Sequence, residues 1–166
     1  MINLHREDKI IDKYIFFLKG PLSQWYKSNF IENGILFNCC EQYMMYYKAL
    51  LFEDLETAKK ILDAKKPSEQ KGLGRLVKNF NEEKWNKSKE YIVYRGNYLK
   101  FTQNEELKQM LKATGTFILV EANKEDKIWG IGMYNDDPNI LKEELWGQNL
   151  LGKALMKVRD ELVKGS

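Results

Sequence analysis

The sequence predicts a mainly helical α+β domain, with five to six helices around a small β-sheet or hairpin. Several long segments repeat apolar residues at three- and four-residue steps, as amphipathic helices do. Only about three short runs have the composition of strands. Because 166 residues with 43% hydrophobic side chains can bury a sizeable core, we expect one domain over residues 1–166, with its core at about 10–164.

The N-terminal part carries the first predicted strands. Residues 10–18 are rich in Ile, Tyr and Phe, which favours a strand, and Gly20-Pro21 ends it. Residues 23–31 lack periodicity and are interpreted as a structured loop. Asn33-Gly34 is typical of a tight turn, so we expect residues 35–37 to pair as the second strand of a hairpin.

Helices dominate the rest of the chain. Their predicted ranges are 40–52, 55–64, a short helix from Pro67, 82–100, 105–113 and 148–164. Short polar side chains precede four of them and are expected to cap them: Asn38, Asp54, Asn81 and Asn104. Between the last two helices, the apolar run 117–121 predicts a buried strand, and a loop over 122–139 follows it.

Composition narrows the classes of function. The formal net charge is +3 and no run of Lys or Arg exceeds two, which suits small anionic ligands and does not predict a nucleic-acid groove. Cys39 and Cys40 are adjacent and His5 is the only histidine, so we expect no disulfide, no metal site and no histidine-based triad. With no apolar run of about 18 residues and no secretory leader, the sequence predicts a cytoplasmic protein without a membrane anchor.

Residues 40–52 carry the first candidate for chemistry. Glu41 and Lys48 are seven residues apart, which returns both to one face of a helix, about 10 Å apart along its axis. A helical side chain leans toward the N-terminus, so Lys48 points back toward Glu41. Either the two groups flank a sugar-sized ligand, or they are ordinary exposed charges on a core helix.

Residues 126–132 follow the buried strand and are a second candidate. Their glycines allow a ligand to approach the backbone closely, and Asp126 can orient a water or bind a ribose hydroxyl. The alternative is a tight turn with an exposed aspartate. A single Gly-x-Gly lacks the dinucleotide fingerprint, so it does not identify a phosphate site.

Other candidates concern anions. Residues 146–149 precede the last helix, where backbone amides can receive a phosphate, unless Gln148 or Asn149 simply caps the helix. Lys100 places a cation at a helix junction, and Arg75 either binds an anion or forms a surface ion pair. The many aromatic residues (four Trp, nine Tyr and eight Phe) either fill the core or line a pocket that stacks on flat rings.

Seven short segments in register resemble the NADAR family, also called the YbiA-like family, over about residues 15–162. They are Ser28-Asn29-Phe30, Glu41-Gln42-Tyr43-Met44-Met45 with Lys48-Ala49, Gly72-Leu73-Gly74-Arg75, Lys100-Phe101 with Gln103-Asn104, Leu119-Val120-Glu121-Ala122, Trp129-Gly130-Ile131-Gly132, and Trp146-Gly147-Gln148-Asn149-Leu150-Leu151-Gly152. Each segment alone is common, and their shared order makes the resemblance specific.

The resemblance implies a YbiA-like fold and N-glycosidase activity without a cofactor, as a hydrolase acting on a ribose-to-nitrogen bond. Two substrate classes go with it: ADP-ribose attached to guanine, possibly within nucleic acid, and riboflavin-pathway intermediates in which a ribose phosphate joins a pyrimidine amine. We expect ADP-ribosyl-guanine here. The chain departs from the common family pattern at Trp25-Tyr26-Lys27 and lacks a glycine between Trp146 and Gly147, differences that bear on the substrate rather than the chemistry.

Two mechanisms fit the cleavage of an N-glycoside. In one, Glu41 or Asp126 activates a water and the other stabilises an oxocarbenium-like centre. In the other, Lys48 attacks the anomeric carbon, the ribose opens, and a Schiff base is hydrolysed. The resemblance favours the second, because the lysine of the Glu-Gln-Tyr helix is the family's expected nucleophile. An attacking amine is neutral, so we expect Lys48 to be partly buried and not ion-paired with Glu41.

The resemblance also implies substrate contacts, at Asn29, Phe30, Arg75, Lys100, Trp129, Gly130, Gln148 and Asn149. Trp129 is expected to stack on a base or on adenine. Arg75, Lys100 and the amides around Gln148 are expected to hold phosphate. A rival of another class is a non-catalytic module that binds ADP-ribose or a related nucleotide. Such a module needs the aromatic and basic residues but not the paired acid and amine.

Overall fold

The structure, a computed structural model, describes residues 4–165. Within that range it has six α-helices, one short 3-10 helix and five strands in two sheets, which confirms the predicted mainly helical α+β class. The strands are β1 (Lys9–Ile11), β2 (Tyr14–Phe17), β3 (Phe30–Glu32), β4 (Ile35–Phe37) and β5 (Ile118–Glu121). The helices are α1 (Cys40–Leu51), α2 (Leu55–Asp63), α3 (Pro67–Gly74), α4 (Glu82–Thr102), α5 (Glu105–Ala113) and α6 (Leu150–Lys164), with the 3-10 turn at Glu143–Leu145.

The chain packs as two compact units. One joins the residues up to Ser23 with those from Glu105 onward, and the other runs from Gln24 to Asn104. The first contains β1, β2, β5, α5 and α6, and the second contains β3, β4 and α1 to α4. The single-domain organisation over residues 1–166 therefore stays a prediction.

In the first unit, three strands form a sheet in the order β1-β2-β5. β1 pairs antiparallel with β2, and β2 pairs parallel with β5. The prediction of one strand over residues 10–18 is wrong, because the charged pair Asp12-Lys13 interrupts the apolar run. Asp12 takes a left-handed φ of 54°, as tight hairpin turns require, so the chain reverses between β1 and β2.

Helix α6 covers β5 in the same unit. A Cβ added at Gly152 would lie 2.1 Å from the carbonyl oxygen of Leu119, so the helix approaches the strand backbone more closely than a side chain permits. A buried hydrophobic cluster of the same unit includes Phe16 of β2, Val120 of β5 and Ile131 of the loop after β5. This packing fixes where the start of α6 lies relative to β5.

In the second unit, β3 and β4 form the predicted hairpin. Asn33 and Gly34 have φ values of 51° and 79°, which identifies the two-residue turn that their sequence predicts. Phe30 already belongs to β3, so the structured loop predicted over residues 23–31 ends earlier than expected. Helix α1 packs against α2, α3 and α4 and is the central element of this unit.

Helix capping follows the sequence at two of the predicted positions. The Asp54 and Asn81 side chains accept hydrogen bonds from backbone N–H groups in the first turns of α2 and α4, at 3.1 and 2.9 Å. The predicted Asn38 cap is wrong, since Cys39 takes the N-cap position and makes no capping hydrogen bond with its side chain. The Asn38 side chain instead accepts a hydrogen bond from Gln70 at 3.1 Å, because the neighbouring α3 offers it a buried partner.

Asn104, the fourth predicted cap, bonds back toward α4. Its side-chain amide donates to the carbonyls of Lys100 at 2.8 Å and of Asn29 at 3.2 Å. It therefore links the end of α4 to the segment before β3, and its capping of α5 stays a prediction.

Three further features bear on the class of protein. None of the described helices is long and apolar enough to cross a membrane. Between residues 4 and 165, no group of three His, Cys, Asp or Glu side chains is arranged to hold a metal ion. Cys39 and Cys40 are free, and burial raises the pKa of their thiols to about 11 and about 12.

Candidate active site

The predicted site residues fall in both units. The unit of residues 24–104 contains Asn29, Phe30, Glu41, Lys48, Arg75 and Lys100. The other unit contains Asp126, Trp129, Gly130, Gln148 and Asn149. The acid and the amine of the proposed chemistry thus lie within one unit, on one helix.

Helix α1 gives the acid and the amine a rigid frame. Glu41 stands in its first turn and Lys48 in its last. Three other helices pack against α1, and all of its first six residues are buried, so the two positions are held by the core of the unit. The spacing read from the sequence is therefore realised on a well-packed element.

Glu41 is buried and held by its neighbours. Only 5% of the residue is exposed, and its Oε1 accepts a hydrogen bond from the indole Nε1 of Trp25 at 2.9 Å. Its backbone N–H donates to the carbonyl of Gln24 at 3.0 Å. A buried carboxylate needs such donors, because removing its charge from water is costly. Glu41 is thus not an ordinary exposed charge on a core helix.

Lys48 is half-buried against aromatic rings. Its Nζ lies 4.9 Å from the ring centroid of Phe80 and 5.7 Å from that of Trp85. Burial lowers the pKa of Lys48, the charge of Arg75 lowers it further, and the charge of Glu41 opposes both. Among residues 4–165, no carboxylate forms an ion pair with Lys48 within 4.0 Å. The expectation of a partly buried amine without a salt bridge to Glu41 is confirmed.

Arg75 follows the last residue of α3 and is exposed. Its effect on the pKa of Lys48 shows that the two cations share one region of the unit. A phosphate bound there would be attracted by both charges. The contact of Arg75 with a phosphate stays a prediction.

Lys100 does not lie at the surface, where a phosphate contact would be expected. It is fully buried on α4, with its Nζ 4.9 Å from the ring centroid of Phe101 and 5.5 Å from that of Tyr26. Burial lowers the pKa of Lys100. Any contact with a substrate would have to be made inside the unit.

Asn29 and Phe30 adjoin the hairpin. The Phe30 ring is buried and packs on Phe37, with their centroids 5.7 Å apart, so the side chain belongs to the hydrophobic core. Asn29 is exposed, and its carbonyl accepts the side-chain amide of Asn104. Of these two residues, only Asn29 presents its side chain at the surface.

In the other unit, Asp126 organises a turn. Its Oδ1 accepts hydrogen bonds from the backbone N–H groups of Ile128 and Trp129, both at 2.8 Å. This arrangement is the tight turn that the sequence left open as an alternative. A Cβ added at Gly130 would lie 2.7 Å from Oε2 of Glu121, so the glycine is needed here for packing.

The start of α6 is bonded to the same turn. The backbone N–H of Gln148 donates to Lys127 at 2.7 Å, and that of Asn149 to Gly130 at 3.1 Å. The next two amides, of Leu150 and Leu151, also donate to carbonyls of the turn. These amides were expected to be available to a phosphate. They are occupied instead, because the turn after β5 packs on the helix start.

Asn149 is the N-cap of α6 but does not cap it with its side chain. The side-chain amide bonds to β5, where its Oδ1 accepts from the N–H of Glu121 and its Nδ2 donates to the carbonyl of Leu119, each at 3.0 Å. Both polar groups of the side chain are therefore engaged within the protein. Gln148 beside it is exposed, and the roles of both residues toward a substrate stay predictions.

Sequence reasoning missed several residues around the acid and the amine. Trp25 and Gln24 contact Glu41, and Phe80 and Trp85 flank Lys48. The surplus of aromatic residues left open whether they fill the core or line a pocket, and did not show which rings would line it. The departure from the family pattern at residues 25–27 was the one sign that pointed to Trp25.

The fold and this site define a mainly helical domain that carries a buried acid and a partly desolvated amine on one helix. The chain belongs to the NADAR family, since the model for the NADAR domain matches residues 16–163 and so spans both units.

Known proteins similar to the chain carry related names. It is 46% identical over 164 residues to N-glycosidase R617 of Acanthamoeba polyphaga mimivirus, covering 90% of this chain and 96% of that protein. It is 28% identical over 155 residues to riboflavin biosynthesis protein VVA0006 of Vibrio vulnificus, covering 92% of this chain and 40% of that protein. The NMR structure of E. coli YbiA has the same fold, with a TM-score of 0.76 at 24% identity, covering 96% of this chain and 90% of that one.

Proposed function

We propose that this protein is an N-glycosidase that hydrolyses the bond between a ribose anomeric carbon and a base nitrogen, with ADP-ribosyl-guanine as its substrate. The observation that carries the proposal is Lys48, a half-buried amine beside two aromatic rings, with a lowered pKa and no carboxylate partner within 4.0 Å among the described residues. A structural lysine at the surface has no need of this environment. The name of the mimivirus relative, N-glycosidase, supports the same chemistry.

In the proposed reaction, the neutral Lys48 amine attacks the anomeric carbon. The carbon–nitrogen bond to guanine breaks, its electron pair goes to the guanine nitrogen, and that nitrogen takes up a proton. The ribose ring then opens to a Schiff base with Lys48. Water adds to the imine, Lys48 leaves as the amine, and the released aldehyde closes to free ADP-ribose. The net change is the addition of one water across the glycosidic bond.

Glu41 is proposed to move protons in this sequence. Its effect on the pKa of Lys48 shows that the carboxylate acts on the amine electrostatically, and its burial strengthens that effect. As an acceptor it would take, through a bridging water, the proton that the amine loses after attack, and the same group would return a proton to the leaving nitrogen. A direct attack of water, with Glu41 or Asp126 as base, is the alternative route.

The surroundings of Lys48 suit the rest of such a substrate. Phe80 and Trp85 offer ring faces on which a base can stack, and Arg75 offers a charge for the pyrophosphate. Trp129, Gly130, Gln148 and Asn149, which belong to the first unit, remain proposed substrate contacts. The substrate partner is then a nucleotide or an ADP-ribosylated guanine within nucleic acid.

The test is mass spectrometry of the products formed from an oligonucleotide that carries ADP-ribosyl-guanine. Wild type is expected to release ADP-ribose and leave intact guanine, whereas Lys48→Ala should slow release by roughly three orders of magnitude. Lys59→Ala, at an exposed position of α2, is the matched control and should behave as wild type. Sodium cyanoborohydride added during turnover should trap a ribosyl adduct on Lys48.

Each negative result has a defined meaning. Release by Lys48→Ala at the wild-type rate would eliminate the Schiff-base route and leave the direct attack of water. No release by wild type would contradict the substrate. Tight binding of ADP-ribose in calorimetry, with no turnover of any N-riboside, would identify the protein as a binding module.

Riboflavin-pathway intermediates are the second candidate substrates. The name of the Vibrio vulnificus relative favours them, although this chain spans only 40% of that protein. These substrates also join a ribose phosphate to a nitrogen, so the same lysine chemistry applies. Release of ribose 5-phosphate from a ribosylaminopyrimidine phosphate, with the oligonucleotide left unchanged, would select this substrate class.

A further inference from the structure

The segment Gln24-Trp25 contacts Glu41 at two points. The carbonyl of Gln24 accepts the backbone N–H of Glu41 at 3.0 Å, and the indole of Trp25 donates to Oε1 of Glu41 at 2.9 Å. The main chain and the side chain of the acid are thus held by two consecutive residues. Neither of the two residues was among the predicted site residues.

This segment is itself anchored in the interior of the unit. The Gln24 side chain is buried, and its Oε1 accepts a hydrogen bond from Nδ2 of Asn97 on α4 at 2.8 Å. The same Asn97 amide donates to the carbonyl of Val93, so the anchor is part of the helix. Trp25 therefore starts from a fixed position, and its indole N–H has a defined direction toward Glu41.

Trp25 is unusual in being exposed while it bonds a buried group. The residue is 45% exposed, whereas Glu41 is 5% exposed. Tryptophan in a purely structural role is usually well buried, because its area contributes most when removed from water. Nearly half of this residue stays in contact with water, and its N–H donates to the acid. Indole can only donate, so it favours the ionised carboxylate.

We propose that Trp25 is a positioning residue for the reaction. Its indole holds the Glu41 carboxylate through Oε1, so that the carboxylate does not pair with the Lys48 amine. This inference rests on the proposed function for its meaning in catalysis. The two side chains lie on one face of α1 about 10 Å apart along the axis, a gap that a Glu and a Lys can bridge when both are extended. An ion pair would keep the amine protonated and unable to attack.

Other charged groups also act on the Glu41 carboxylate and the Lys48 amine. Lys48 experiences the charges of Glu41 and Arg75. Cys39 and Cys40 precede Glu41, and both are influenced by Glu41 and by Lys100 on α4. Burial keeps the two thiols protonated, so Glu41 is the negative charge whose position matters to the amine.

One further cation lies at the Trp25 ring itself. Lys71 on α3 has its Nζ 5.9 Å from the ring centroid of Trp25. Removing the Lys71 cation is the necessary control for any change made at Trp25, because a variant of Trp25 also alters this cation–ring contact.

The experiment compares Trp25→Phe, which keeps an aromatic ring and removes the N–H, with Lys71→Met. The first readout is the pH midpoint of reductive methylation of Lys48 by formaldehyde and cyanoborohydride, followed by peptide mass spectrometry. Trp25→Phe should raise this midpoint by about one pH unit, because the carboxylate becomes available to the ammonium. Lys71→Met should leave the midpoint within a few tenths of a unit of wild type.

The second readout is single-turnover release of ADP-ribose. At pH 7, Trp25→Phe should be slower by roughly 10- to 100-fold, the range for losing a hydrogen bond to a charged group, with KM changed less than the rate. The deficit should shrink as the pH is raised, since alkali restores the neutral amine. A merely structural role of Trp25 would not produce this pH-dependent recovery.

The outcomes separate the two proposals. An unchanged methylation midpoint in Trp25→Phe overturns the positioning role, whether or not the protein is active. A shifted midpoint together with an inactive wild type keeps the effect of Trp25 and Glu41 on the Lys48 amine and rejects the N-glycosidase. Should Trp25→Phe fail to fold, a benzothienylalanine at position 25, which replaces the N–H by sulfur in a ring of the same shape, serves for both readouts.

Discussion

Asn149→Ala is expected to destabilise the protein by about 3–5 kcal/mol. The side chain is 5% exposed and makes two hydrogen bonds of 3.0 Å to the backbone of β5. Its loss leaves the Glu121 N–H without this acceptor, at about 1–3 kcal/mol, and the Leu119 carbonyl without this donor, at about 1 kcal/mol. Alanine at the left-handed φ of 51° adds about 1 kcal/mol.

Urea unfolding followed by circular dichroism measures this loss, and two variants at the same site separate its parts. Asn149→Gly should be about 1 kcal/mol less destabilised than Asn149→Ala, because glycine accepts the left-handed backbone. Gln148→Ala, at the exposed neighbour, should stay within about 0.5 kcal/mol of wild type. An Asn149→Ala protein that unfolds within 1 kcal/mol of wild type but has lost activity would refute the structural role and restore Asn149 as a substrate contact.

Two further predictions concern charge and packing. Glu41→Gln should lower the pKa of Lys48, because it removes a negative charge, and Arg75→Gln should raise that pKa, because it removes a positive charge. Methylation midpoints of Lys48 that move in the same direction in both variants would contradict this. Gly72→Ala should stabilise the protein by about 0.5–1 kcal/mol, since a Cβ meets open space on α3. Gly152→Ala should destabilise the protein by about 1–3 kcal/mol, because its Cβ meets the β5 backbone. Urea unfolding that finds Gly152→Ala more stable than Gly72→Ala would refute the packing argument.

Much of the acid–amine site could be predicted from local sequence. The seven-residue separation of Glu41 and Lys48 fixes their common face once the segment is helical, because seven residues make close to two turns of a helix. The partial burial of Lys48 followed from the chemistry assigned to it, and the structure confirms that burial. What the local pattern lacked was the identity of the partners, which come from residues far away in the chain.

The expected helix caps that fail have one common cause, which is competition by tertiary partners. Asn38 has the right residue type for a cap, but Gln70 on α3 bonds its side chain instead. Asn149 stands at the right position to cap α6, yet the backbone of β5 takes its amide. In each case a polar side chain satisfied a buried group of another element, because leaving that group unpaired costs more than losing a cap.

The sequence by itself determined the fold class, most helix ranges, the Asn33-Gly34 hairpin turn and the shared face of Glu41 and Lys48. These depend on periodicity and on backbone preferences that act within a few residues. Only the tertiary structure decided that Trp25 bonds Glu41, that Phe80 and Trp85 flank the amine, and which groups shift its pKa. Those properties depend on desolvation and on distances between separate elements, which no local pattern encodes.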